Sequence, residues 1–204
     1  GVAGNRGVEM SGYSLNLVTG PTDEPVTLPQ CKMATRIDST SEDDYLGELI
    51  KAAREQVEID TDLRLLPQTW RLTLDQFPAS CDDDGIAIPM KPVTGVVVKY
   101  DDVNGAEQTL DASRYYLRAS ACPAKIYLKP GQAWPATILQ HGSVRVTVSA
   151  GFADAAAVPQ RAKHAIYLLF GHWAEHRGLS TTKNYTDISF AYQSLTTGLR
   201  PGMV

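Results

Sequence analysis

The sequence predicts an α+β fold. Helices pack together, an antiparallel β unit is inserted between the long helix of the N-terminal half and a C-terminal helix, and the termini are extended. Three observations carry this expectation. Apolar residues recur at helical spacing before about residue 60 and again after residue 159. Between them, over about residues 69–150, short segments alternate apolar and polar residues and are separated by turn formers. The chain has 204 residues, 43% hydrophobic and 21% charged, which suits one domain carrying an insertion. That composition excludes wholesale disorder, collagen and coiled-coil fibre.

Residues 1–14 read as a flexible N-terminal segment. Gly1 to Glu9 is Gly-rich, precedes Met10 and lacks the apolar core of a secretory signal. Met10 as a native start and a processed native end both stay open. No Gly-Lys-Ser/Thr follows, so these glycines make no phosphate loop. Leu15 to Pro29 reads as an extended leading arm. Thr27 with Gln30 three residues on has capping-box spacing and predicts a helix over 28–35. Ser41 is the expected cap of a second helix over 42–60, with Glu42, Asp43 and Asp44 at its positive end. Leu46, Leu49, Ile50, Ala53 and Val57 form its apolar stripe.

The period then changes. Trp70, Leu72 and Leu74 alternate with polar residues, as a half-buried strand does. Further strands are expected at 86–89, 94–100, 108–110, 115–118, 126–129 and 144–149. In the last, Val144, Val146 and Val148 share a face. Asn104-Gly105 signals a tight hairpin, since both residues tolerate positive φ. A helix over 159–177 follows, opened by Pro159, with Ala162, Ala165, Ile166, Leu169 and Trp173 as its stripe and Gly178 as its terminator. Trp70 and Trp173 are expected in the core. Residues 178–204 divide into a polar loop, from Leu179 to Thr186, and a tail with Phe190, Leu195 and Leu199 at weak helical spacing before Arg200.

Net charge is −4, whereas a general duplex-binding domain carries a basic surplus. The few aromatics do not interleave with a basic run, so no single-strand stacking platform is indicated. No apolar run approaches the ~20 residues of a membrane helix. Cys31, Cys81 and Cys122 are widely spaced, which points to free thiols in a reducing compartment.

The sharpest catalytic pattern is His172-Trp173-Ala174-Glu175-His176, the H-x-x-E-H of inverted zinc proteases. Two histidines four apart share a helix face and could hold zinc, with Glu175 as base. A downstream third ligand is missing: after His176 the only acid is Asp187. An amphipathic helix explains the spacing equally, so a small metal-dependent hydrolase is the alternative and no cofactor is expected. Asp82-Asp83-Asp84-Gly85 is like a calcium loop, but Ser80 and Lys91 occupy two ligand positions, so it reads as a solvated turn. His141 reads as a loop residue.

Taken in order, these segments resemble the head–tail connector (adaptor) proteins of tailed phages and gene-transfer particles. The resemblance runs from Leu15-Asn16-Leu17-Val18-Thr19 through Glu24-Pro25-Val26-Thr27-Leu28, the Asp38-to-Asp44 stretch and Tyr45 to Glu55. It continues in Gln68 to Pro78, Asp102 to Leu110, Pro130-Gly131-Gln132-Ala133-Trp134-Pro135, Val144 to Asp154 and Val158-Pro159. It ends at Glu175-His176-Arg177, where the family's helix closes on Glu-Asn-Arg.

The resemblance implies a non-enzymatic virion protein at the head–tail junction, assembled in the bacterial cytoplasm. It implies a ring of twelve copies below the portal, extending the DNA channel and docking a tail-side stopper or tail terminator. Duplex DNA would pass without sequence-specific binding, and no membrane is involved. The tail segment either folds back on its own chain or docks on another. The resemblance implies docking on the portal, with Phe190, Leu195, Leu199 and Arg200 as candidates, loose until bound.

Overall fold

Helical stripes and alternating strands build two separate cores. A computed structural model describes residues 13–78, 85–176 and 186–200, without the side chains of 186–189. In chain order come β1 (Tyr13–Thr19), α1 (Leu28–Thr35), α2 (Asp43–Thr61), β2 (Gln68–Leu74), β3 (Ile86–Ile88), β4 (Val93–Asp101) and β5 (Glu107–Thr109). A 3-10 turn (Ala112–Arg114), β6 (Tyr115–Arg118), β7 (Ala124–Leu128), β8 (Val144–Ala150), α3 (Gln160–Glu175) and α4 (Thr186–Thr197) follow. The α+β class expected from the sequence is the class observed.

One sheet has the order β1-β2-β8-β4-β5 and a second the order β3-β7-β6. The alternation in β8 does what its pattern predicts. Val144, Val146 and Val148 point inward and are fully buried. Val146 lies opposite Leu72 on β2 and Val98 on β4, so three strands bury one row. Ile86, Ile88 and Ile126 of the smaller sheet close the same core, and Tyr115 ties the sheets by donating its hydroxyl to the Val96 carbonyl at 3.2 Å. Each fully buried aliphatic side chain here stabilises by about 1.5–3 kcal/mol.

The helical core holds Leu46, Ile50, Ala53 and Val57 of α2 against Ala162, Ala165, Ile166 and Phe170 of α3. Helix α1 begins with the expected capping box: Thr27 Oγ1 accepts from the Gln30 amide, and Gln30 Oε1 from the Thr27 amide. Lys32 on α1 pairs with Asp43 on α2 at 2.7 Å.

Several expectations are corrected. Ser41 does not cap α2: its hydroxyl is engaged with Ser39 at 2.8 Å, and Glu42 occupies the cap without a side-chain bond. The leading arm contains a strand, β1, so Tyr13 and Ser14 do not belong to a flexible segment. It pairs with β2 at the sheet edge and half-buries only Leu15, which leaves no alternation to read. Trp70 and Trp173 are half-buried, at the margins of the two cores. Trp70 stays at the rim because Arg64 stacks over its ring and its Nε1 donates to Gln68. In α3 the stripe centres on Phe170, which displaces Trp173 outward. At the β4–β5 hairpin only Gly105 takes positive φ, and Asp102 Oδ1 holds the loop by accepting from the Asn104 and Ala106 amides.

A buried ionic cluster joins the two cores. Glu58 Oε1 accepts from the Leu65 amide and from Gln68 Nε2, both at 2.7 Å, while Oε2 accepts from Arg54 at 3.2 Å. Arg54 also reaches Glu24 at 2.9 Å. Close by, Gly151 at φ +120° leaves the sheet. A Cβ there would lie 2.1 Å from the Leu66 carbonyl oxygen, so only glycine lets the strand exit pass the α2–β2 link.

Candidate functional site

Two places were singled out for function: the histidine pair of α3 and the C-terminal segment. The helix brings His172 and His176 together, ring centroids 4.8 Å apart. The His176 Nδ1–H donates to the His172 carbonyl at 3.1 Å, which uses that nitrogen within the last helical turn. Glu175 is exposed. Among the described residues no three His, Cys, Asp or Glu side chains are grouped to hold a metal ion. The Asp82–Asp84 run, Cys81, Arg177, Gly178 and the polar loop up to Tyr185 lie outside the described residues. His141 is not solitary: its Nδ1 lies 2.9 Å from Asp75 Oδ2, and Asp75 also accepts from the Gly142 amide. Those bonds hold the Asp75 carboxyl below its ordinary range.

The C-terminal segment forms α4, which packs on α3 and α2. Its four candidates divide. Leu195 and Leu199 rest against the helical core. Arg200 Nε donates to the Asp60 carbonyl at 2.9 Å. Phe190 is 77% exposed. The tail expected to hang loose is therefore folded back in this chain. Its anchor is one the sequence reading missed: Tyr192 donates its hydroxyl to Asp60 Oδ2 at 2.6 Å, beside Gln56 at 3.1 Å from the same oxygen. Burial first, and the Asp60 bond second, push the Tyr192 hydroxyl well above its ordinary pKa. A tyrosine at helical spacing from Leu195 and Leu199 was the signal that could have found it.

Other exposed apolar side chains were also missed. Leu17 and Val18 lie on edge strand β1, Val103 on the β4–β5 hairpin, and Leu139 on the long link from β7 to β8. Ile138 sits beside Gly105, so the last two segments meet at one end of the β unit.

Comparison with known proteins bears on this geometry. Residues 25–110 match the family model for phage gp6-like head-tail connector protein. The matched stretch covers less than half of the chain. It spans α1, α2 and the strands from β2 to β5, and so includes both sides of the Glu58 cluster.

Similarity in fold extends much further than that stretch. A chain in the virion of a native gene transfer agent particle superposes with TM-score 0.74 at 24% identity, over 93% of this chain and 96% of that one. A chain in the neck of an empty gene transfer agent particle, computed with C6 symmetry, gives 0.74 at 23%, over 94% and 97%. One in the neck of the native particle, computed with C12 symmetry, gives 0.68 at 23%, over 94% and 97%. No curated protein matches the chain. Among the described residues no helix is long and apolar enough to cross a membrane.

Proposed function

We propose that this protein is a non-enzymatic head–tail connector. Twelve copies form a ring below the portal, extend the DNA channel, and offer a tail-side stopper or tail terminator its docking surface. The observation that carries this reading is the end-to-end likeness of fold to chains of gene transfer agent necks, joined to the connector family match at 25–110. The site of action is the head–tail junction of a phage or gene-transfer particle, assembled in the bacterial cytoplasm. Duplex DNA passes through without sequence-specific binding.

Phe190 is the portal-docking residue best supported by its exposure. Leu195, Leu199 and Arg200 act with it by presenting α4. A cyclic ring needs two different patches on every copy, one fitting the other. The apolar side chains at one end of the β unit, Val103 and Leu139, and those on edge strand β1 supply such candidates.

The test is to image particles made with and without the protein, and to measure the mass of its complex with portal. The expectation is tailless heads without it and a twelve-copy ring on the portal with it. Normal tailed particles in its absence, or a monomer that ignores portal, would overturn the reading. Phe190→Ser separates docking from folding: it should melt as wild type does yet fail to join portal.

A further inference from the structure

The outer face of the larger sheet and the outer ridge of α2 carry leftover charges of opposite sign. Leu72, Val146 and Val98 form one buried row across β2, β8 and β4. Their immediate neighbours in sequence point the other way, because successive side chains of a strand alternate. Arg71 therefore stands on the outer face, opposite Asn16 of β1 on one side and Thr147 of β8 on the other. Val97 of β4 lies beyond Thr147 in the same row. Val97 is 46% exposed, and Arg71 is exposed too. The other charges of this face are matched. Arg145 holds Asp101 and Glu107, Lys99 also holds Glu107, and Asp75 is engaged with His141 and the Gly142 amide. Arg71 forms no ion pair among the described residues.

On α2 the surplus is acidic. Glu48, Ala52, Glu55 and Ile59 follow one another at steps of three or four residues, so they line one side of the helix. All four are exposed, Ile59 at 70%, whereas Leu46, Ile50, Ala53 and Val57 turn into the helical core. Lys51 answers Glu48 at 2.8 Å. Glu55 shares the Arg54 guanidinium with Glu24 and Glu58, three carboxylates on one cation, so Glu55 is the surplus acid. Asp44 in the first turn and Asp62 at the C-terminal cap are exposed as well. Each surface thus offers one apolar side chain beside one charge that its own chain does not fully answer.

We propose that the ring is built by seating the α2 ridge of one copy on the outer sheet face of the next, Glu55 on Arg71 and Ile59 on Val97. The inference rests on the connector reading and deepens it by naming the contact between copies. Charge complementarity selects a second copy as the occupant: the surplus carboxylate meets the unanswered guanidinium, and charges so arranged fix the register of an interface. The spacing agrees. Arg71 and Val97 are two strands apart, roughly 10 Å. Glu55 to Ile59 rises about 6 Å along the helix, and the long arginine side chain takes up the difference. Thr147, between the two sheet positions, is small enough to let the helix approach. The two surfaces differ, so every copy gives one and receives the other, as a closed ring requires.

The test counts copies of the full chain on the portal by mass measurement, with thermal melts as the check on folding. Arg71→Glu and Glu55→Arg should each raise the concentration of chain needed to fill the ring about tenfold or more, because each sets like charges face to face. Combining the two substitutions exchanges the charges and should restore the ring. Ile59→Ser changes no charge and should weaken assembly too, which keeps a readout if Glu55→Arg melts early. Arg118 is exposed on the smaller sheet, so Arg118→Glu makes the same charge change away from the contact and should leave the ring intact. Single variants that fill the ring as wild type does, or a combined variant no better than either alone, would overturn the proposal. So would equal losses in Arg118→Glu and Arg71→Glu, which would reduce the effect to net charge. In all those outcomes wild type still fills its ring, and the connector reading stands. If wild type itself forms no ring on portal, the connector reading falls and this contact with it.

Discussion

Replacing Glu58 by alanine should unfold the protein far more readily than replacing its neighbour Glu55, although both face Arg54. The Glu58 side chain is 7% exposed and the Glu55 side chain 64%. Removing Glu58 leaves the Leu65 amide without its acceptor, at a cost of about 1–3 kcal/mol for a buried donor. The Gln68 carboxamide loses a 2.7 Å bond, and Arg54 loses a buried partner while keeping Glu24 and Glu55. Breaking such a buried ion pair costs about 3–5 kcal/mol in total. Glu55→Ala removes an exposed contact worth about 0–1 kcal/mol. Against a domain stability of about 5–15 kcal/mol, the first loss is severe and the second marginal. Urea unfolding followed by circular dichroism reads both, provided the slope against urea stays constant between variants. If Glu58→Ala falls within about 1 kcal/mol of Glu55→Ala, the cluster does not join the two cores as described.

Further outcomes are expected. Phe170→Ala should cost about 3–5 kcal/mol, and Trp173→Ala clearly less because its ring is only half-buried; equal losses in thermal melts would refute the stripe assignment. Gly151→Ala should yield little folded protein, given the 2.1 Å approach to the Leu66 carbonyl. Gly47→Ala, on α2 with open space around it, should instead gain about 0.5–1 kcal/mol, both read by circular dichroism. Arg145 depresses the Asp101 carboxyl and Lys99 that of Glu107, so their contribution is present above the ordinary carboxylate pKa and lost as pH falls through the depressed values. Asp101→Asn should therefore flatten the acid side of a melting-temperature profile below about pH 4. Burial raises Glu58 and Glu24, which gives the opposite sign: their contribution is complete below the ordinary value and lost as pH rises through the raised one. Glu24→Gln should therefore lessen the fall in melting temperature above about pH 4.3; an unchanged profile would contradict it.

Legibility in the sequence followed the range of the interactions. The Thr27–Gln30 box and the alternation of Val144, Val146 and Val148 are local, so pattern alone locates them. Strand β1 escaped because an edge strand exposed on nearly every side chain has no period, and its existence depends on backbone pairing with β2. Ser41 misled because a nearby serine competes for its hydroxyl. In the Glu58 cluster Arg54 and Glu58 stand at helical i,i+4 spacing, whereas Glu24, Leu65 and Gln68 join them from positions that no spacing rule connects. The tail was half-legible: its apolar spacing was visible, whereas the Tyr192–Asp60 bond that folds it back spans most of the chain. Tyr116 on β6 and Tyr127 on β7 mean little apart, and strand pairing stacks their rings.

The meeting of β2 and β8 at the base of the insertion bears on the order in which the molecule comes together. Helices α2 and α3 share a core yet are separated by about a hundred residues. Gln68 pairs with Ala150 at the neck of the insertion. Once the sheet has zipped to that pair, the effective tether between the helices shrinks to roughly fifteen residues, which lowers their closure cost by about 2 kcal/mol. The β insertion then serves as a clasp that folds first and hands the helical halves to each other. Its own distant strand pairings set the pace, as non-local contacts do in slow-folding topologies.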